Sequence, residues 1–423
     1  MDKIKSLLNM MFATIIYPFT KYKFKEKNIW LIGGHSGEIY NDNAKELYEY
    51  ILSNHKEIEI YWVAKLDNPF FNVIPGKKIV KGSLKNYLYY YNAKVIIFSH
   101  SPSADIAPYN FAVPVLNYFH KRVTKVFLNH GTISFKKRKP MNPKLEKIID
   151  KLLKSYNIVT AGSEFEKHIM TDIWGMSDES VYITGIARYD NLVSSIKSDE
   201  IKNNEKESNN SNSDEVKNNE KKSNNFNSDE IKERVILYTP TWRDWIKFSD
   251  GDFANTDYFK NTMELLNDEK LNNLLEEKNV YIKIFMHHLM HEFLDDIKKN
   301  ITGKRIIFLD KDTDLGEEIK KADLNITDYS STAIDFLLMN KPILFYQFDI
   351  EEYSEKVGSY IDLNKEMFGY LSYNSREAIQ NLIKIIELDF KISDNQMKEK
   401  AKYIKFQDGK NCERIFNIIY KIV

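Results

Sequence analysis

One polar motif recurs three times with a period of 15 residues: SDEIKNNEKESNN from Ser198, SDEVKNNEKKSNN from Ser213 and SDEIKERV from Ser228. Asn, Lys, Glu and Ser dominate it, and it offers almost nothing to bury. Such a tract cannot offset the entropy of ordering itself, so 196–233 is expected to be a disordered or loosely helical linker. A stacked repeat fold is excluded, because three polar units have no core-forming face. The flanks, 28–195 and 234–423, must then each build a core of their own. A length of 423 residues with 43% hydrophobic and 13% aromatic content supports two such domains.

Both flanks alternate short apolar runs with helical patterns. In the first, strands are expected at NIWLIGG (28–34), EIYWVAK (59–65), AKVIIFSH (93–100), KVFLNHG (125–131), NIVTAGS (157–163) and SVYITGI (180–186), with a helix over 43–54. In the second, they fall at 234–241, 281–288, 305–310, 324–330 and 342–348. Helices fit over 261–277, 313–322 and 331–340, with a long one near 394–422. Strand–turn–helix repetition implies parallel sheets covered by helices. Two doubly wound halves facing each other across a cleft would bind ligands beyond the carboxyl ends of their strands.

The first 27 residues stand apart. An apolar run from Ile4 to Phe19 is broken by Lys5, Ser6 and Asn9, and it is short of the roughly 20 apolar residues that span a bilayer. No small-residue cleavage site follows it. The lysines from Lys21 to Lys27, set among aromatic residues, suit an anionic membrane surface. Two readings remain: an interfacial anchor, or the first core helix. Lys+Arg and Asp+Glu are each 61, which argues against non-specific coating of nucleic acid. A single cysteine, Cys412, excludes a disulfide framework and a cysteine-based zinc site, and fits a reducing compartment.

Polar groups collect at the strand ends. His35 follows the first strand, and Ser99 and His100 follow another. His130, Gly131 and Thr132 end KVFLNHGT, Ser163 ends NIVTAGS, and Arg188 and Asp190 follow SVYITGI. The second half adds Thr241 and Arg243, His287 and His288, and Asp328, Ser330 and Ser331. No GxGxxG after a strand, GxxxxGK[ST], HExxH or GxSxG occurs. The acidic pairs among Asp310, Asp312 and Asp314 suit Mg²⁺ or a charged turn before a helix, and the turn is favoured. The matching chemistry is transfer of a group from an activated phosphate donor. Such a reaction needs donors to hold a diphosphate, a task that Arg243, the helix start at Ser330-Ser331 and His287 or His288 could perform. It also needs a base for an acceptor hydroxyl, a task for His130.

KVFLNHGTISFKK, VTAGSEF, ITGIARYDNL, ILYTPTWRD and ITDYSSTAIDFLLMNKPILFYQFDIEEY, in that order, resemble the successive motifs of the CDP-glycerol glycerophosphotransferase family of teichoic-acid primases and polymerases. The resemblance implies a GT-B fold, with acceptor binding in the N-terminal domain and CDP-donor binding in the C-terminal one. It implies transfer of glycerol phosphate or ribitol phosphate to a hydroxyl of a lipid-linked acceptor, with release of CMP and no metal or other cofactor. By that resemblance His130 is the base, and His287 with His288 covers the second histidine, in a place where the family has His-Pro. Arg243, Thr241, Asp328, Ser330 and Ser331 surround the donor. Gly131, Thr132, Arg188, Asp190, Ser163 and His100 line the acceptor side or the cleft. The expected setting is peripheral, at the cytoplasmic face of the membrane. Two alternatives stay open: a GT-B glycosyltransferase using a CMP-activated sugar, and a non-catalytic glycan-binding relative.

Overall fold

A computed structural model describes residues 3–24, 27–109, 123–139, 141–196, 233–247 and 253–423, without the side chain of His288. Residues 197–232, which hold most of the polar repeat, lie outside the described residues. The chain forms two compact units, one of Met1–Ser134, Arg138–Asn191 and Ala401–Val423, the other of Phe135–Lys137 and Leu192–Lys400.

The first unit opens with helix α1 (Lys3–Thr20), followed by strand β1 (Ile29–Gly33), helix α2 (Asp42–Asn54), β2 (Glu59–Ala64), β3 (Lys77–Val80) and helix α3 (Leu84–Asn92). It continues through β4 (Val95–Phe98), β5 (Thr124–Phe127), β6 (Ile158–Ala161) and β7 (Val181–Ile183). The seven strands pair in parallel in the order β3-β2-β1-β4-β5-β6-β7. Because successive strands run outward from β1 in one direction and then from β4 in the other, the switch point falls between β1 and β4. The inner strands β1, β4 and β6 are buried on both faces, which is why they read as apolar runs rather than alternating ones.

The second unit repeats the plan. Strands β8 (Arg234–Thr239), β9 (Val280–Ile284), β10 (Ile306–Phe308), β11 (Leu324–Thr327), β12 (Ile343–Tyr346) and β13 (Tyr370–Ser372) form a parallel sheet in the order β10-β9-β8-β11-β12-β13. Its switch point lies between β8 and β11. Ile236, Ile282, Leu324, Ile326 and Leu344 fill its core.

The structure corrects three expectations. The long helix near 394–422 is two helices, Asp394–Tyr403 and Asn411–Ile422, separated by a turn in which Gly409 takes φ +75°. The helical stretch over 261–277 likewise divides into Asp257–Leu266 and Glu269–Glu277. The second domain does not run to residue 423. The last helix belongs to the first unit, where Phe416 stacks on Trp30 at 5.7 Å between ring centroids and on His55 at 3.5 Å. Asn411 also donates through Nδ2 to the carbonyl of Ile186.

Phe416 is 3% exposed. Phe416→Ala is therefore expected to cost the first unit about 3–5 kcal/mol, the range for emptying a buried aromatic site. Urea unfolding measures this, and a loss below about 1 kcal/mol would show that the C-terminal helix is not integral to that unit.

Candidate functional site

In the first unit a histidine lies just beyond each of β1, β4 and β5: His35, His100 and His130. The rings of His100 and His130 stack at 4.6 Å with 8° between their planes, and His35 meets His100 edge-on at 5.1 Å. Buried Asp105 fixes the segments beyond β1 and β4. It accepts hydrogen bonds from the backbone N–H groups of Ser36 (2.9 Å), Ser99 (3.0 Å) and His100 (2.7 Å). A Cβ on Gly33 would sit 2.6 Å from the Asp105 carbonyl oxygen, so only glycine lets strand and loop approach this closely.

The HGT loop is held by polar side chains from three directions. Asn129, in the left-handed region at φ 59°, donates to the Gly131 carbonyl at 2.7 Å and accepts from the His130 N–H at 2.9 Å. Asn43 donates to the Asn129 carbonyl at 3.0 Å. Glu166 accepts from the N–H groups of Ile133 (2.9 Å) and Gly162 (2.6 Å). Burial pushes Glu166 up to about 7 against the pull of those two donors. Thr132 shares a hydrogen bond of 3.0 Å with the Tyr189 hydroxyl.

Arg188 joins this loop to α2, bonding Asp42 at 2.8 Å and the His130 carbonyl at 3.3 Å through the same nitrogen. Burial alone would raise Asp42, but the charge of Arg188 and the neighbouring His35 hold it below the usual carboxylate range. His35 Nε2 lies 3.6 Å from Asp42. Burial works against protonation of His35, and the nearby Asp42 carboxylate outweighs it, so its pKa rises. His130 shifts the other way. It keeps an exposed face, but crowding of its ring and the neighbouring His100 push it down to about 4. His130 is thus neutral near pH 7, the state a proton acceptor requires.

In the second unit the switch point is built on a buried ion network. Arg243 is 1% exposed. Its Nη2 donates to Asp328 (2.8 Å) and Asp349 (3.0 Å), its Nε to Asp349 (2.6 Å), and its Nη1 to the carbonyl and hydroxyl of Thr241. Burial opposes its charge, yet Asp328 and Asp349 hold Arg243 well above its ordinary pKa. All five N–H donors of the guanidinium are engaged. The Thr241 N–H and hydroxyl also bond Asp328 at 3.0 Å. Tyr329 bonds Asp349 at 3.2 Å and stacks on Tyr353 at 3.5 Å.

These contacts correct several expected roles. Arg243, Thr241 and Asp328 lock strand ends together rather than presenting donors to a diphosphate. A cavity of about 720 Å³ beside Arg243 is also lined by Asp257, Asp349, Glu351 and Glu352, a poor setting for an anion. Asp190 accepts from the N–H groups of Asn411 (2.8 Å) and Cys412 (2.7 Å), so it caps the start of the last helix. Ser163 caps the helix Glu164–His168 through the Glu166 N–H. Asp314 caps Leu315–Lys321, which settles the acidic run as a helix start. Ser330 and Ser331 are half-buried and precede the helix Thr332–Leu338, with Ser330 Oγ accepting from the Thr332 N–H at 3.3 Å. His287 Nδ1 accepts from the Leu289 N–H at 3.3 Å, which leaves Nε2 to carry the ring proton. The His287 ring stacks on Trp242 at 5.7 Å, and Lys136 Nζ lies 5.7 Å from the Trp242 centroid. Among the described residues, no group of three or more His, Cys, Asp or Glu is arranged to hold a metal ion.

Sequence reasoning missed Asp42, Asp105, Glu166 and Asp349. A carboxylate flanked by apolar residues beyond a strand end, as in SADIA and FDI, is the signal that points to Asp105 and Asp349, whereas Asp42 lies between two asparagines and Glu166 beside Lys167, with no such signal.

Two doubly wound parallel sheets with polar side chains gathered at their switch points define a GT-B-like fold. The chain belongs to the CDP-glycerol:poly(glycerophosphate) glycerophosphotransferase family, whose model matches residues 15–421. It is 25% identical to a teichoic acid glycerol-phosphate transferase of Staphylococcus aureus over 99% of this chain and 100% of that one. It is 24% identical to the minor teichoic acid biosynthesis protein GgaB of Bacillus subtilis, aligning over 94% of this chain but only 40% of GgaB. A solved structure of the wall teichoic acid polymerase TagF superposes with a TM-score of 0.67 at 18% identity, covering 100% of this chain and 98% of that one.

The ion network yields a test. Arg243→Leu strands two buried carboxylates, and the expected loss is about 3–5 kcal/mol, as for breaking a buried pair from one side. Removing one of those two charges with Arg243→Leu/Asp328→Asn should recover part of that loss in chemical denaturation. No recovery would contradict the charge argument.

Proposed function

We propose that this protein transfers an alditol phosphate, glycerol phosphate or ribitol phosphate, from a CDP-linked donor to a hydroxyl of a teichoic-acid-type acceptor. Family membership supports the reaction class. The observation that carries the mechanism is the neutral, partly exposed His130 held at the end of β5 by Asn129, Arg188 and the stacked ring of His100. In this reading the His130 ring takes the proton of the acceptor hydroxyl. The resulting oxygen attacks the phosphorus that bears the alditol, a new P–O bond forms, the P–O bond to CMP breaks, and CMP leaves with the electron pair.

The donor belongs to the second unit, with its pyrophosphate assigned to Ser330, Ser331 and His287 at the carboxyl ends of β11 and β9. Arg243 acts there as a positioning residue. No step of this mechanism is routed through a metal. The acceptor is read as lipid-linked, and the protein as working peripherally at the cytoplasmic face of a membrane. No nucleic-acid partner is proposed.

The experiment is CMP release from CDP-glycerol, CDP-ribitol and CMP-sialic acid in the presence of membrane extract. Turnover is expected with a CDP-alditol, and turnover with CMP-sialic acid alone would replace this reading with sugar transfer. His130→Ala should lower turnover about two to four orders of magnitude. Because a base must be unprotonated, kcat/KM should stay level from neutral pH downward and fall only as the pH approaches about 4. An inflection near 6.5, the ordinary value for histidine, would contradict the environment described for His130.

A further inference from the structure

Asn43 lies in the first turn of α2, is 1% exposed, and bonds two other segments at once. Its Nδ2 donates to the Asn129 carbonyl at 3.0 Å, and its Oδ1 accepts from the Arg188 N–H at 3.1 Å. Arg188 in turn reaches the His130 carbonyl through Nη1 at 3.3 Å, and Asn129 and His130 are neighbours in the chain. These four residues close a ring. It runs from α2 to the end of β5, through His130, to the segment after β7, and back to α2.

Each bond in the ring answers a need that the fold creates. Asn129 lies past the end of β5 at φ 59° and is 3% exposed, so its carbonyl needs a donor from outside the strand ladder. The Arg188 N–H, past the end of β7, needs an acceptor for the same reason. A side-chain amide is neutral and presents one group of each kind on a single carbon. Aspartate in its place offers no donor, leucine offers neither group, and the serine hydroxyl stops one bond short of both.

The ring governs the one residue in it that carries chemistry. Asn129 accepts from the His130 N–H at 2.9 Å, and Arg188 donates to the His130 carbonyl, so both ends of this residue's backbone are fixed from groups that Asn43 holds. Other bonds keep the neighbourhood folded without Asn43. Asp42 still binds Arg188 at 2.8 Å, and Asn129 still donates to the Gly131 carbonyl at 2.7 Å. Loss of the amide therefore opens the ring and frees the His130 backbone to shift. A displacement of about 1 Å at a reacting group can cost roughly 100-fold in rate.

We propose that Asn43 is a positioning residue for the transfer, its amide setting the direction in which the His130 ring meets the acceptor hydroxyl. The inference rests on the reading of His130 as the base given above. Asn43 itself is sealed from solvent and acts through Asn129 and Arg188.

The test is steady-state CMP release from CDP-glycerol and CDP-ribitol, with membrane extract as acceptor source, by the full chain carrying Asn43→Leu, Asn43→Ser, Arg188→Met or Asn43→Leu/Arg188→Met. Both Asn43 variants should lose about tenfold or more in kcat, while KM for the CDP-alditol stays within about twofold, because donor binding is not what the ring controls. With the ring already open in Arg188→Met, adding Asn43→Leu should lower kcat little further, whereas independent effects would multiply. Circular dichroism and the melting temperature check the fold, and Asn43→Ser is the milder change should Asn43→Leu fold poorly. Wild-type kcat in Asn43→Ser, or a double variant at the product of the two single losses, would overturn the proposal. So would a rise in KM with kcat unchanged. His130→Ala in the same assay separates the two readings. If it keeps turnover, the base assignment and this inference fall together. If it loses turnover while the Asn43 variants keep theirs, only this inference falls.

Discussion

A guanidinium almost sealed from solvent holds the switch point of the second sheet. Arg243 follows β8, Asp328 follows β11 and Asp349 follows β12, and one planar cation ties the three strand ends together. Burying that charge is tolerable only because each N–H meets an oxygen. The loops beyond these strands, including Ser330 and Ser331, inherit their positions from it. Substituting Arg243 leaves two buried carboxylates uncompensated, whereas substituting either carboxylate leaves the guanidinium short of a hydrogen-bond acceptor.

The first unit solves the same problem without a central cation. Parallel strands end in loops whose backbone N–H groups have lost their ladder partners, and those groups need acceptors. Asp105 takes three of them and Glu166 takes two. The carboxylates do structural work beneath the loops, which leaves the histidine rings above them available for chemistry. His35, Ser36, Asp42 and Asn129 all sit at positive φ, an uncommon conformation for non-glycine residues that the surrounding bonds maintain. Opposite pKa shifts of His35 and His130 follow from this arrangement. Asp42 faces one ring, while burial and the stacked ring of His100 surround the other.

Much of the fold was legible in the sequence, because strands buried on both faces announce themselves as short apolar runs. Eleven of the strands, from NIWLIGG to PILFYQF, lie within the stretches expected for them, with β5 and β9 each beginning one residue early. Two of the four edge strands, β3 (KKIV) and β13 (YLS), were not legible. As edge strands they are half-exposed and carry no continuous apolar run. The path of the last helix was hidden too, since an amphipathic face records that it packs but not on which sheet. At the site, His130 and His100 stood out as polar residues at strand ends. The roles of Arg243, Asp328 and Asp190 were misread for a physical reason. A charged side chain near a strand end looks the same in sequence whether it faces a ligand or another buried charge.

The account divides the work between the units: His130 moves a proton in the first, and the CDP donor is held by the second. Isothermal titration calorimetry of CDP-glycerol against His130→Ala tests that division most directly. The account predicts a Kd within about twofold of wild type alongside lost turnover, because a proton acceptor for the other substrate contributes little to donor affinity. A Kd weakened by tenfold or more, about 1.4 kcal/mol of binding energy, would contradict it and place His130 in the donor site.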